Sequence, residues 1–203
     1  MSDHDPAKVA VVIGDVHGEM RKLVAMLDLI EARFGADTSV YSLGDLVDRG
    51  PDSKGVLETC VRRGVRGLLG NHELWLREVL SGGAFNDFAL RGVMGGLATI
   101  RSFGVEKGDP DRIARELRQL VPPEQAAYVR ALPAWRSLIV GDRLYYLLHA
   151  GLTTDTAAGV LHGSQRRSLP DEVILEAVLR VQPDTFFWTS PRPREVGDNL
   201  HRF

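Results

Sequence analysis

The sequence has a single cysteine, Cys60, so no disulfide within the chain can staple it. No apolar run approaches the roughly 20 residues that cross a bilayer. The N-terminal stretch MSDHDPAKVAVVIG lacks a basic segment followed by a long apolar core and a small-residue cleavage site. These absences predict a soluble protein of a reducing compartment, the cytoplasm. Neither sign of charge dominates, since 25 Lys and Arg stand against 27 Asp and Glu for a net charge of -2. A nucleic acid or an anionic membrane surface is therefore not an expected partner, and the clusters Arg62, Arg63, Arg66 and Arg166, Arg167 read as solvated faces. Solenoid repeats and low-complexity tracts are also missing. What is present is a chain of 203 residues, 44% hydrophobic, long enough to bury a core. Its length predicts one domain over residues 1–203.

Along that chain one pattern recurs, a strand-like apolar segment running into a polar turn. KVAVVI leads to GDVHG with Asp15 and His17, and SVYSL leads to GDLVDRG with Asp45, Asp48 and Arg49. GLL leads to GNHE with Asn71 and His72, and RLYYLL leads to HAG with His149. A parallel or mixed sheet delivers such strand ends to one edge, which predicts a single shared site.

Between these turns the periodicity is helical. Met20, Leu23, Val24, Leu27 and Ile30 share one face of a helix predicted over 20–34, stopped by Gly35. Val56, Leu57, Cys60 and Val61 form the next such face, ended by Gly64. Residues 81–135 read as a helical insertion, with Pro110 placed at a helix first turn. RSLIV and RLYYLL around Gly141 and Asp142 read as a hairpin, and 168–181 as a further helix. The fold class is α/β.

Carboxylate oxygen, imidazole nitrogen and amide oxygen make a ligand set suited to Mn, Fe, Zn or Co. Asp15 and His17 converge on one ion, Asn71 and His149 serve a second, and Asp45 bridges. Two such ions about 3.5 to 4 Å apart acidify a bridging water and hold a phosphoryl oxygen for in-line attack. Arg49 then binds phosphate as a fork, His72 donates a proton to the leaving group, and Asp48 orients that imidazole.

GDVHG, GDLVDRG, GNHE and HAG, in this order, resemble the calcineurin-like metallophosphoesterases, specifically the phosphoprotein phosphatases, over about residues 8–152. The resemblance implies a sandwich of mixed β-sheets flanked by helices. It also implies two divalent ions, most readily manganese, on Asp15, His17, Asp45, Asn71 and His149, phosphate binding by Arg49 and Asn71, and catalysis by His72, Asp48 and Arg49. That family normally adds a His after a Gly near the C-terminus. Here the chain ends VGDNLHRF, so His201 is the expected remaining ligand, and part of the C-terminal family fold is expected to be missing. Arg192 in TSPRPR is the expected second phosphate-binding arginine.

Three functions follow from the resemblance. The first is hydrolysis of phosphomonoesters, with phosphoserine or phosphothreonine in proteins as substrate. The alternative is symmetrical hydrolysis of diadenosine tetraphosphate, and the third reading is a non-catalytic binding relative with an incomplete metal site. Cys60 and Arg66 also have the spacing of a cysteine-nucleophile phosphatase. That chemistry needs the cysteine in a phosphate-cradling loop, whereas Cys60 continues a helix face. Trp75, Leu76 and Val79 read as core.

Overall fold

The computed structural model describes residues 2–3, 9–141, 143–150 and 171–181. The chain divides into two compact units, Met1–Leu147 and Leu148–Phe203.

The first unit contains nearly all of the described elements. Strands β2 (Ala10–Ile13), β3 (Ser39–Ser42) and β4 (Arg66–Gly67) form one sheet in that order. Both pairings are parallel, with Ala10 opposite Ser39 and Ser42 opposite Gly67. Parallel strands point their C-terminal ends the same way, so the turns after Ile13, Ser42 and Gly67 emerge at one edge. A second sheet has the order β1 (Ser2–Asp3), β5 (Trp135–Val140), β6 (Arg143–Leu148). In it β1 runs parallel to β5, while β5 and β6 are the predicted hairpin. The mixed character expected of both sheets belongs to this one, since the sheet beneath the polar turns is all parallel among the described residues.

Helix α1 (Met20–Phe34) has the predicted bounds and buries Leu23, Leu27 and Ile30. Helix α2 (Ser53–Arg63) starts where Asp52 Oδ1 accepts the Gly55 N–H at 2.7 Å, satisfying an amide that has no partner in a first helical turn. It buries Val56, Leu57 and Cys60 and stops at Gly64, whose φ of 64° reverses the chain. Each buried Leu or Val on these faces contributes about 1.5–3 kcal/mol. Arg63 is exposed, as a solvated face requires, and is also paired. Its two terminal nitrogens meet Asp28 at 2.9 Å and Glu31 at 2.7 Å, joining α2 to α1. Arg66 lies over the Tyr41 ring and donates to its hydroxyl.

The GLL segment forms less strand than expected. Leu68 still donates to Ser42 O, but Leu69 turns its amide to Pro133 O at 2.9 Å, so the ladder ends after Gly67. Helix α3 (Glu73–Leu80) follows directly and buries Trp75, Leu76 and Val79. The insertion is helical as predicted. It holds a 3-10 turn (Asp87–Leu90), α4 (Gly96–Ser102), α5 (Pro110–Leu120) and α6 (Pro123–Ala131). Asp109 caps α5 by accepting the Arg112 N–H at 3.0 Å, with Pro110 in the first turn. A continuous apolar core joins these helices to α1, α2 and α3.

In the second unit, α7 (Asp171–Val181) is a helix in which Leu175 is buried and Val173 exposed. Its predicted start at Ser168 lies outside the described residues, as do Arg166 and Arg167. Among the described residues no helix is long and apolar enough to cross a membrane.

Replacing the Asp52 cap tests how much α2 owes to it. Asp52→Ala is expected to lower unfolding free energy by about 1 kcal/mol, read as a shifted urea midpoint with unchanged slope.

Candidate metal centre

Three turns at the parallel sheet edge are laced through their backbones. Val16 and His17 donate to Asp45 O at 2.9 and 2.8 Å, and Gly18 donates to Leu46 O at 2.9 Å. Gly50 donates to His17 O at 2.9 Å. The two chains touch so closely there that a Cβ on Gly50 would run into the His17 carbonyl oxygen. Only glycine fits that position.

The third turn is joined to the second by one side chain. Glu73 is fully buried and accepts four backbone N–H groups, those of Asp45 and Gly70 at Oε2 (both 2.9 Å) and of Leu46 and Val47 at Oε1 (2.7 and 3.1 Å). Burial and the nearby Asp45 carboxylate push Glu73 up to about 7, against the opposite pull of those amides. Sequence reasoning gave Glu73 no task. The available signal was its place inside GNHE, an acid opening a helix that is otherwise apolar on its inner face.

Such lacing holds an awkward backbone. Among the described residues, the non-glycines with left-handed φ are His17 (46°), Asp45 (52°), Asp48 (70°) and Arg49 (65°). Each such residue costs on the order of 1–3 kcal/mol and persists only where its surroundings dictate it. All four are residues singled out for chemistry.

Their side chains converge. His17 Nδ1–H donates to Val47 O at 3.0 Å, which leaves Nε2 with its lone pair facing outward. That atom lies 3.8 Å from Asp15 Oδ2 and 3.7 Å from Asp45 Oδ2. His72 Nε2 lies 3.9 Å from the same Asp45 oxygen, and the two imidazoles meet edge to face. Ligand atoms of His17, Asp45 and His72 all lie within 4.8 Å of one another. Arg49 Nη1 donates into His17 Nε2 at 2.7 Å, placing a positive charge beside two carboxylates.

This arrangement fits a divalent cation. The histidine tautomer is set by a backbone oxygen, as metal-bound imidazoles are usually set, and the carboxylates that surround Nε2 repel one another unless a cation lies between them. Asp45 is buried whereas the Asp15 side chain is 57% exposed, so the cluster opens to solvent on the Asp15 side.

Beside it stands the expected pair of His72 and Asp48. Both are buried, and His72 Nδ1 donates to Asp48 Oδ2 at 2.9 Å. Trp75 Nε1 donates to the same oxygen at 3.1 Å, and Thr99 Oγ1 donates to Oδ1 at 2.7 Å. Trp75 is thus core, as predicted, and also a partner of Asp48, which its apolar spacing concealed. Thr99 carried no local signal at all, because it reaches Asp48 only when α4 folds back. The insertion holds Arg49 as well, through Gly95 O to the Arg49 amide and Val93 O to Nη2, both at 3.2 Å.

Asn71 occupies the turn before His72 and is half-buried, and His149 follows β6 directly at the start of the second unit. His201 and Arg192 lie outside the described residues. Cys60 is buried on α2 and its thiol is pushed up to about 12, chiefly by burial. It is a core residue with no thiolate to offer a phosphate.

The family model of the calcineurin-like phosphoesterases matches residues 9–188. The chain belongs to this family. Among the relatives of this chain is the symmetrical bis(5'-nucleosyl)-tetraphosphatase of Delftia acidovorans, 43% identical over 185 residues, which are 85% of this chain and 57% of that protein. The enzyme of the same name from Paracidovorax citrulli is 50% identical over 66 residues, 32% of this chain and 23% of its own length. The chain thus spans little more than half of the first relative and a quarter of the second. A crystal structure provisionally named a diadenosine tetraphosphatase overlays on 81% of this chain and 57% of its own, with a TM-score of 0.45 and 23% identity.

Glu73→Gln turns an NH2 toward amides that now donate to a carboxylate oxygen. The expected loss is at least about 2 kcal/mol, measured by denaturant unfolding of metal-free protein. Unchanged stability would contradict the fastening role.

Proposed function

We propose that this phosphoesterase hydrolyses a bis(5'-nucleosyl) tetraphosphate symmetrically, releasing two nucleoside diphosphates. The observation that carries the catalytic part is the gathering of Asp15, His17, Asp45 and His72, with Arg49 against His17, at the edge of a parallel sheet. The relatives named for this reaction support the substrate. They favour it over phosphoserine or phosphothreonine, the first of the expected classes, since the same ligands and proton donor serve the central phosphoanhydride of the one and the phosphomonoester of the other.

In this reading Asp15, His17 and Asp45 hold one divalent ion. Asp45, Asn71 and His149 hold the second, and manganese is the first ion to supply. Bound there, the ions would polarise a phosphoryl oxygen and lower the pKa of a water. The protein does the rest by position and charge. Arg49 swings its fork from His17 to the phosphate oxygens, which it can bond in pairs. His72 presents Nε2 to the departing oxygen and hands it a proton, while Asp48 keeps the ring in one orientation through Nδ1. The buried walls formed by Trp75 and α4 keep water from the Asp48 side of that pair.

A panel with manganese tests the reading. Diadenosine tetraphosphate is expected to yield ADP alone, and a phosphothreonine peptide to be a far poorer substrate. Phosphate release from the peptide with the dinucleotide untouched would reverse the assignment. No turnover of either, with metal bound, would favour a binding relative.

Two substitutions separate the roles. Asp45→Asn is expected to abolish turnover, so an active Asp45→Asn protein would remove Asp45 from the reaction. His72→Asn is expected to slow it by about a hundredfold or more while elemental analysis still finds most of the metal.

A further inference from the structure

The helical insertion does more than sit beside the site. Its segment 93–99 clasps the Asp48–Arg49 dipeptide from the side away from the sheet, through Val93 O, Gly95 O and Thr99 Oγ1. Thr99 makes the most complete of these contacts. Its hydroxyl accepts the Asp48 N–H at 2.8 Å and donates to Asp48 Oδ1 at 2.7 Å. One hydroxyl has one proton, so the 2.8 Å contact with Ser53 Oγ is made by the serine donating. Ser53 Oγ in turn shares the Asp48 N–H at 3.1 Å.

Asp48 therefore receives donors on both oxygens. His72 and Trp75 take Oδ2, and Thr99 takes Oδ1. With Oδ1 fixed, the carboxylate plane cannot rotate about its last bond, and the acceptor for His72 Nδ1 stays where the ring needs it. Removing the Oδ1 donor leaves a buried charged oxygen unsatisfied and that rotation open. Thr99 is wholly buried, at 0% exposure, so it touches neither substrate nor ion.

We propose that Thr99 is a positioning residue for proton transfer, acting through Asp48 on His72. This rests on the reading of His72 as the donor. In the step concerned, a water oxygen bonds to phosphorus as the bond from phosphorus to the leaving oxygen breaks. The leaving oxygen takes the proton from His72 Nε2, whose ring keeps Nδ1–H on Asp48. The proton shed by the attacking water restores the ring.

The test uses Thr99→Val, which keeps the shape and removes the hydroxyl, and Thr99→Ser, which keeps the hydroxyl. With manganese supplied, kcat of Thr99→Val on phenyl phosphate is expected to fall roughly ten- to hundredfold. On nitrophenyl phosphate, whose leaving group departs without a proton, kcat should fall far less. KM should hold for both substrates, and Thr99→Ser should restore the rate. Equal falls on the two substrates, or a serine variant no better than valine, would overturn the proposal.

A second measurement needs no turnover. The buried His72 Nδ1–H should give a low-field proton resonance, identified by its loss in His72→Gln. Thr99→Val is expected to shift or broaden it and Thr99→Ser to leave it in place, and an unmoved resonance in Thr99→Val would overturn the positioning role. A protein that, with metal bound, leaves diadenosine tetraphosphate and both phenyl esters intact defeats the functional reading, and the resonance then decides this one by itself. Should Thr99→Val not fold, Thr99→Ala carries both comparisons.

Discussion

One buried carboxylate holds the site together. Glu73 gathers four backbone amides from two turns that are far apart in sequence. Without it those amides would be buried and unpaired, each at a cost of about 1–3 kcal/mol. Asp45, Asp48 and Arg49 hold backbone conformations that no local preference supplies, and the Glu73 oxygens bond the turn that carries them. The strain in that turn and the network around it belong together, because an over-determined setting is what allows uncommon φ values to persist.

The charge arrangement follows from the same fastening. Asp45 is held near both Asp15 and Glu73 by the backbone, whatever the repulsion between carboxylates. Glu73 is raised first by its burial and then by the Asp45 carboxylate. Arg49 lies against His17 Nε2, a cation drawn to the point where carboxylates and an imidazole lone pair face each other. A site of this kind stores affinity for positive charge, which suits divalent ions first and, through Arg49, an anionic phosphate after them.

The pair of His72 and Asp48 is built on a different principle. It is buried and held by neutral donors, Trp75 of α3 and Thr99 of α4, one on each Asp48 oxygen. One of these elements is the insertion, which thus meets both the Asp48 carboxylate, through Thr99, and the Arg49 amide, through Gly95 O.

The elements were legible in the residues where periodicity is strong. The α1 bounds followed from Leu23, Leu27, Ile30 and Gly35, the α2 stop from Gly64, and the hairpin from alternation around Gly141. The shared edge was legible for three of the four apolar runs, whereas the fourth, RLYYLL, lies in the other sheet. β4 was overestimated, since Leu69 gives its amide to Pro133, a partner 64 residues along that no local pattern announces. Glu73, Trp75 and Thr99 escaped for a related reason. Their side chains are ordinary for a helix, and their tasks exist only through atoms of other turns. The chain's own order of residues determined which groups are available for chemistry and where each strand stops, because those depend on neighbours in sequence. Only the tertiary structure decided how they are aimed, because orientation here is a matter of hydrogen bonds between segments that meet after folding.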